Sequence, residues 1–157
     1  LNLIKLLDNK NIEVAEQIIK LQKASYQVEA EIIGFIQIPP LLENPEDIIN
    51  SEETYYGYFV EQDLAGIISY SIEADVLDIC KVAVHPDFFK RGIATQLIRL
   101  VEQTEGINKI LVFTGLKNSP AVTLYTALGF IKMHEREVAK GVFIVSFEKQ
   151  LSKSPIL

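Results

Sequence analysis

A single cysteine, Cys80, stands in the 157 residues of this chain, so no intramolecular disulfide can form. No CxxC pair and no Cys/His cluster is present, and no metal site is expected. No apolar run reaches membrane-spanning length, and the N-terminus lacks the basic, apolar and small-residue succession of a signal peptide. The default compartment is then the cytoplasm, with no membrane partner. The first residue is Leu rather than Met, which leaves the true start of the polypeptide open. An excess of positive charge is also missing. The formal charge is −6, which argues against general nucleic-acid binding. Neither GxxxxGK[ST] nor GxGxxG occurs, so two common nucleotide-binding loops are excluded. There is no internal repeat, low-complexity tract or linker, and one domain over 1–157 is expected.

What is present is an ordinary globular composition, 48% hydrophobic and 23% charged, in a chain long enough to bury a core. The charge is unevenly spread. Residues 1–70 hold 4 basic and 12 acidic side chains, whereas residues 71–157 hold 11 and 9. An anionic ligand on the second half and a cationic one on the first would suit this division, as would plain solvated surface charge.

The hydrophobic pattern predicts an edge strand at "LNLIKLLD", then a helix capped by Asp8 or Asn9, with Ile12, Ala15, Ile18, Ile19 and Gln22 at helical spacing. That helix can run on through "ASYQVEAEIIGF" but not through Pro39-Pro40, because the residue before each proline is pushed toward extended conformations. "IQIPPLLENPED" is expected to be a turn region, followed by a short helix near 45–50. "TYYGYFVEQDLAGIISYSIE" reads as a hairpin turning at Gln62-Asp63, and "DVLDICKVAV" as the next strand. A helix over 92–104, a buried strand "KILVFTG" and a helix in "NSPAVTLYTALGF" follow. The last helix is expected to be capped by Asn118 or Ser119, with Pro120 in its first turn and Gly129 at its end. "IKMHEREVAKGVFIVSFEKQL" closes the chain as two strands turning near Lys140-Gly141. The succession β, α, α, β, β, β, α, β, α, β, β is that of a mixed α/β sheet, mostly antiparallel, with flanking helices.

The stretch "HPDFFKRGIATQLIRL", residues 85–100, is locally odd. Lys90 and Arg91 crowd a helix start, where the dipole disfavours cations, and Gly92 is a poor helix former. An anion sharing the site resolves the conflict. First-turn amides bind phosphate or pyrophosphate, and a glycine lets a ligand approach the backbone.

"VAVHPDFFKRGIATQLI" followed by "NSPAVTLYTALGF" resembles the GNAT superfamily of N-acetyltransferases, whose members carry a strand ending in V-x-P, then Q/R-x-x-G-x-G/A, then a helix. Gly92 and Ala94 match the two small positions. Asn118, Leu124-Tyr125 and Leu128-Gly129-Phe130 match the later motif. Phe89 departs from the usual Gln or Arg; the change removes a side-chain contact and leaves the backbone amides in place. The element order matches from about residue 3 to 151, the N-terminal third in predicted elements only.

The resemblance implies a fold with two splayed central parallel strands. It also implies acetyl-CoA as donor, and direct attack by an amine on a small molecule or peptide within a ternary complex. The pantetheine arm would lie along Val82-Ala83-Val84, on the backbone of Val82 and Val84, with the Val82 N–H facing the thioester oxygen. Lys90 and the amides of Arg91, Gly92, Ile93, Ala94 and Thr95 would hold the pyrophosphate. Asn118 would contact the pantetheine region. Tyr125 matches the family's general-acid tyrosine, although Val122, Tyr125 and Leu128 also share core spacing. Asp78, four residues before Val82, is the candidate base; strict alternation would put Asp78, Cys80, Val82 and Val84 on one face. Glu29, Glu31, Glu73 and water compete with it. Cys80 has no histidine near it in sequence and is read as a small hydrophobe rather than a nucleophile. "SYQVEAE" and "FIQIPPLL" could line an acceptor groove. Tyr55, Tyr56 and Tyr58 are read as packing residues, and His85 and His134 as exposed. Members of the family commonly dimerise, so a homodimer is compatible with the chain. A non-catalytic acyl-CoA-binding module and a purely structural interaction domain are the alternatives.

Overall fold

A computed structural model of the chain describes residues 2–151. The ends of the expected 1–157 domain, Leu1 and residues 152–157, lie outside the described residues. The elements run β1 (Asn2–Leu7), α1 (Ile12–Ile33), α2 (Pro39–Leu42), α3 (Pro45–Ile49), β2 (Thr54–Val60), β3 (Asp63–Glu73), β4 (Val76–Val84), α4 (Ile93–Glu102), β5 (Lys109–Gly115), α5 (Ser119–Ala127), β6 (Ile131–Ala139) and β7 (Val142–Gln150). The strands form one sheet in the order β1-β2-β3-β4-β5-β7-β6. Only β4 and β5 are parallel, with α4 as their crossover; every other pairing is antiparallel.

The sheet separates two apolar cores. Leu97, Ile98 and Val101 of α4 join Ile68, Leu77, Ile110 and Phe147 on one face. Ala15, Ile18, Ile19 and Tyr26 of α1, with Ile48 of α3, join Tyr55, Ile67 and Ala83 on the other. Gly66 explains how closely α4 lies on β3: a Cβ there would stand 2.8 Å from Cγ2 of Ile93.

Three local expectations change. The cap of α1 is Asn11, whose side chain accepts from the amides of Glu13 and Val14. Neither Asp8 nor Asn9 caps it. Asn9 is instead buried and ties the strand end to α3 by donating to the Ile48 carbonyl at 2.8 Å. The turn expected at Pro39-Pro40 is a single helical turn, because prolines in a first turn forfeit no helical hydrogen bond. The β2–β3 turn falls on Glu61-Gln62, one residue early, with Glu61 at φ 56° and Asp63 already paired to Val60.

A candidate active site between two splayed strands

Strands β4 and β5 pair only from Val76 to Ile79 and from Lys109 to Val112. Beyond that point they part, and a gap opens between Lys81–Val84 and Phe113–Gly115. The bulge responsible for the change in β4 follows the last paired residue directly. Ser69 faces Lys81 and Tyr70 faces Ile79, so Cys80 has no opposite residue on β3. A bulge bends its strand and increases its twist. It also shifts the side-chain alternation by one. Leu77 and Ile79 enter the α4 core before the bulge, and Val82 and Val84 pack against that same core after it. Asp78 therefore does not share a face with Val82 and Val84, as strict alternation predicted.

The backbone of the gap's β4 wall is polarised. The His85 N–H donates to Ala65 on β3 at 2.8 Å, so by antiparallel alternation Lys81 and Ala83 also bond to β3. Val82 and Val84, between them, turn N–H and C=O toward the gap. Two of these groups are already taken. The Val84 N–H donates to Ser25 Oγ at 3.2 Å, and Tyr26 Oη donates to the Val82 carbonyl at 3.3 Å. Helix α1 thus leans its polar stripe across the open strand.

At the mouth of the gap, a 3-10 turn over Pro86–Phe88 leads into α4. Lys90 and Gly92 both take left-handed conformations, φ 64° and 74°, and Gly92 occupies the N-cap position of α4 with no side-chain cap. A Cβ on Gly92 would meet nothing within 4 Å, so glycine is required by φ and the space before it is open. The Gln96 N–H returns to the Gly92 carbonyl, which leaves the amides of Ile93, Ala94 and Thr95 as the orphan donors of the first turn. Lys90 and Arg91 are exposed and make no ion pair among the described residues, while the Arg91 guanidinium rests 5.1 Å from the Phe88 ring centre. Orphan amides, a positive dipole end and two cations without an ion pair among the described residues are a combination that suits an anion.

The opposite wall comes from β5 and α5. Asn118 caps α5 by accepting from the Ala121 N–H at 3.3 Å, and its Nδ2 donates to Glu29 Oε1 at 2.5 Å. Both ends of this side chain are therefore engaged inside the protein. Burial raises the Glu29 carboxyl above its ordinary range, and hydrogen bonds from Asn118 and Thr114 partly oppose the shift. Tyr125 is 5% exposed, with its ring against Phe130 and Phe147 at 5.6 and 5.8 Å between centres. Burial, and then the nearby Glu29 charge, push its phenol well above the usual value, so it keeps its proton. Tyr26 is raised by the same two causes.

A second hollow, about 630 Å³, lies on the α1 side and is lined by Glu43, Asp47, Glu52 and Glu53 with Pro39, Leu42, Ser51 and Ser71. Beneath it Lys81, 6% exposed, donates to Glu43 at 2.7 Å and to the Tyr55 hydroxyl at 2.8 Å. Tyr55 is thus more than the packing residue expected. Asp78 does not line this hollow but pairs with Ser71, which does; burial and then the Glu53 charge raise its carboxyl. Cys80 is raised to about 11 by burial and by Glu53, which leaves almost no thiolate near neutrality. Glu31 and Glu73 are exposed, on the outer side of α1 and at the end of β3. His134 is exposed on β6, and His85 accepts from the Asp87 N–H within the loop. Among the described residues no group of three or more His, Cys, Asp or Glu is placed to hold a metal, and no helix is long and apolar enough to cross a membrane.

Residues 15–130 match the family model described as "Acetyltransferase (GNAT) family". The chain belongs to the GNAT acetyltransferase family. It is 40% identical over 146 residues to the UPF0157 protein YqkA of Bacillus subtilis (strain 168), a match covering 92% of this chain and 43% of that protein. The chain thus spans less than half the length of this curated relative. The GNAT fold is shown again by the ribosomal-protein-S18-alanine N-acetyltransferase of Escherichia coli, at TM-score 0.79, 14% identity and coverage of 99% and 97% of the two chains. An aminoglycoside 6'-N-acetyltransferase solved with coenzyme A superposes at TM-score 0.74 with 16% identity, covering 98% and 99%. Membership in the GNAT family supports acetyl transfer as the general chemistry of the site.

Sequence reasoning singled out Asn118, Tyr125 and the Lys90–Thr95 loop, and these meet around the gap. Asp78 is set apart by the bulge. Ser25 and Tyr26 belong to the stretch expected to line an acceptor groove, and the structure sets them on the open edge of β4; Lys81 was not assigned to the site. One signal for the helix residues was available: Gln22, Tyr26 and Ala30 continue the buried spacing of α1, so polar atoms sit on its inner face.

Proposed function

We propose that the chain transfers the acetyl group of acetyl-CoA to a primary amine by direct attack in a ternary complex. The observation that carries this reading is the convergence of the uncapped first turn of α4, the polar edge of β4 and the protonated Tyr125 on one gap. When bound, acetyl-CoA supplies an activated acyl carbon and a thiolate leaving group. Lys90 and the amides of Arg91, Gly92, Ile93, Ala94 and Thr95 hold its pyrophosphate. Val82-Ala83-Val84 receives the pantetheine arm by β-type pairing once Ser25 and Tyr26 release the Val84 N–H and the Val82 carbonyl. The Val82 N–H stabilises charge that develops on the thioester oxygen. Asn118 holds the start of α5 beside the arm, and Tyr125 gives a proton to the departing sulfur.

The hollow lined by Glu43, Asp47, Glu52 and Glu53 suits a cationic acceptor, either a small amine or a lysine or N-terminal amine of a peptide. The test is transfer of labelled acetyl from acetyl-CoA to matched cationic and anionic amines between 0.1 and 1 M salt, where the Debye length falls from about 10 to about 3 Å. Transfer to the cationic amine that weakens with salt is expected. Binding of CoA without transfer to any amine would leave a non-catalytic acyl-CoA module. No binding in a thermal-shift assay would remove the donor site altogether.

A further inference from the structure

Helix α1 carries Ser25, Tyr26 and Glu29 on one side, and this side spans the gap. Ser25 and Tyr26 reach the β4 wall at Val84 and Val82. One turn on, Glu29 reaches the other wall, where Asn118, the cap of α5, donates to it at 2.5 Å and the Thr114 hydroxyl of β5 lies near enough to favour its charged form. Glu29 is half-buried, so part of it stays accessible, and it forms no ion pair among the described residues. The ionisable groups facing it are Tyr26 on its own helix and Tyr125 on α5. Asp78 is differently placed, beyond the bulge and beside Glu53.

We propose that Glu29, held by Asn118, is the carboxylate that takes the proton from the attacking amine. This rests on the acetyl-transfer reading above and replaces Asp78 in that role. Glu29 takes one proton from the ammonium and passes it to water. The nitrogen lone pair forms the C–N bond, and the C–S bond breaks with its electron pair leaving on sulfur. Tyr125 protonates that sulfur and is reprotonated with the second proton lost by the nitrogen. An ammonium and a thioester thus become an amide, a thiol and one free proton. The raised carboxyl of Glu29 and the raised phenol of Tyr125 fit a base and an acid working side by side.

The experiment compares the wild-type chain with Glu29→Gln, Thr114→Val and Asp78→Asn. Glu29→Gln should lower kcat roughly a hundredfold or more, the usual reach of a general base, and abolish the acidic limb of the kcat/KM–pH profile, with CoA affinity by calorimetry within about threefold. Thr114→Val removes a nearby hydroxyl that favours the charged carboxylate and should move that limb to higher pH. Asp78→Asn should leave the limb in place. A readout independent of turnover is thermal stability against pH. A carboxyl raised by folding stabilises below its unfolded pKa and loses that contribution as pH rises through its folded pKa. The Tm of Glu29→Gln should therefore gain on wild type as pH rises through that window. Near-wild-type turnover with the acidic limb intact in Glu29→Gln would overturn the assignment while leaving acetyl transfer standing. A wild-type chain that moves acetyl to no amine would overturn both.

Discussion

The proposed donor side and the proposed acceptor side of this molecule are made of different materials. The donor side is mostly backbone: the amides after Gly92, the left-handed residues Lys90 and Gly92, and the edge of Val82 and Val84. The acceptor side is mostly side chains brought from far apart, with Glu43, Tyr55 and Lys81 meeting under an acidic hollow. Backbone recognition needs a local conformation, so a few adjacent residues specify it. Side-chain recognition needs distant elements to meet, and its chemistry changes with each residue. One half of such a site can therefore serve a common donor while the other is free to vary with the acceptor.

The largest effect that would separate the two halves is expected at Gly92→Glu. A carboxylate at a helix N-terminus meets incoming phosphate, and a side chain at φ 74° adds left-handed strain of roughly 1–2 kcal/mol. CoA affinity should fall about a hundredfold or more, read by calorimetry, with circular dichroism showing the fold retained. Unchanged affinity in the folded variant would take the loop out of the donor side.

Tyr125→Phe keeps the ring against Phe130 and Phe147 and removes the proton. Turnover should fall roughly ten- to a thousandfold, near the range of general acid catalysis, with CoA affinity nearly constant. Single-turnover rates equal to wild type would make Tyr125 a packing residue alone.

Lys81→Met tests the acceptor side. It leaves Glu43 without its buried cation. The expected loss of stability is at or below the lower end of about 3–5 kcal/mol for breaking a buried pair, because Glu43 is 26% exposed and recovers some hydration. Denaturant unfolding measures that loss. Acceptor KM should rise several-fold while CoA affinity holds; a loss confined to CoA would erase the division between the halves.

The smallest effect is expected at Cys80→Ala. Burial and the Glu53 charge push its thiol up to about 11, and the bulge needs no particular side chain. Turnover should stay within about twofold of wild type, since surface-type substitutions away from a site cost little. A large loss, or a labelled acetyl group trapped on the protein, would reopen a covalent route.

The strand and helix order was legible because amphipathic periodicity and turn residues are local signals, and most elements lie where the pattern put them. The odd Lys90–Thr95 loop was legible for the same reason: cations, a glycine and a helix start stand within a few residues. The bulge at Cys80 was not. Nothing in "DVLDICKVAV" marks one extra residue, because a bulge is decided by the register of the partner strand. From that single residue followed the misplacement of Asp78.

By itself, then, the sequence determined the mixed α/β architecture, the glycine-led, uncapped start of α4, and the placing of Asn118 and Tyr125 toward the two ends of one short helix. Only the tertiary structure decided that Glu29 of α1 lies against Asn118, 89 residues away in sequence, and that Ser25 and Tyr26 occupy the open edge of β4. Periodicity shows which side of a helix is buried; it does not show which strand lies beneath it. Contacts across a splayed sheet depend on strand order, register and the exact height at which a helix crosses, and these are settled when the two cores pack against the sheet together.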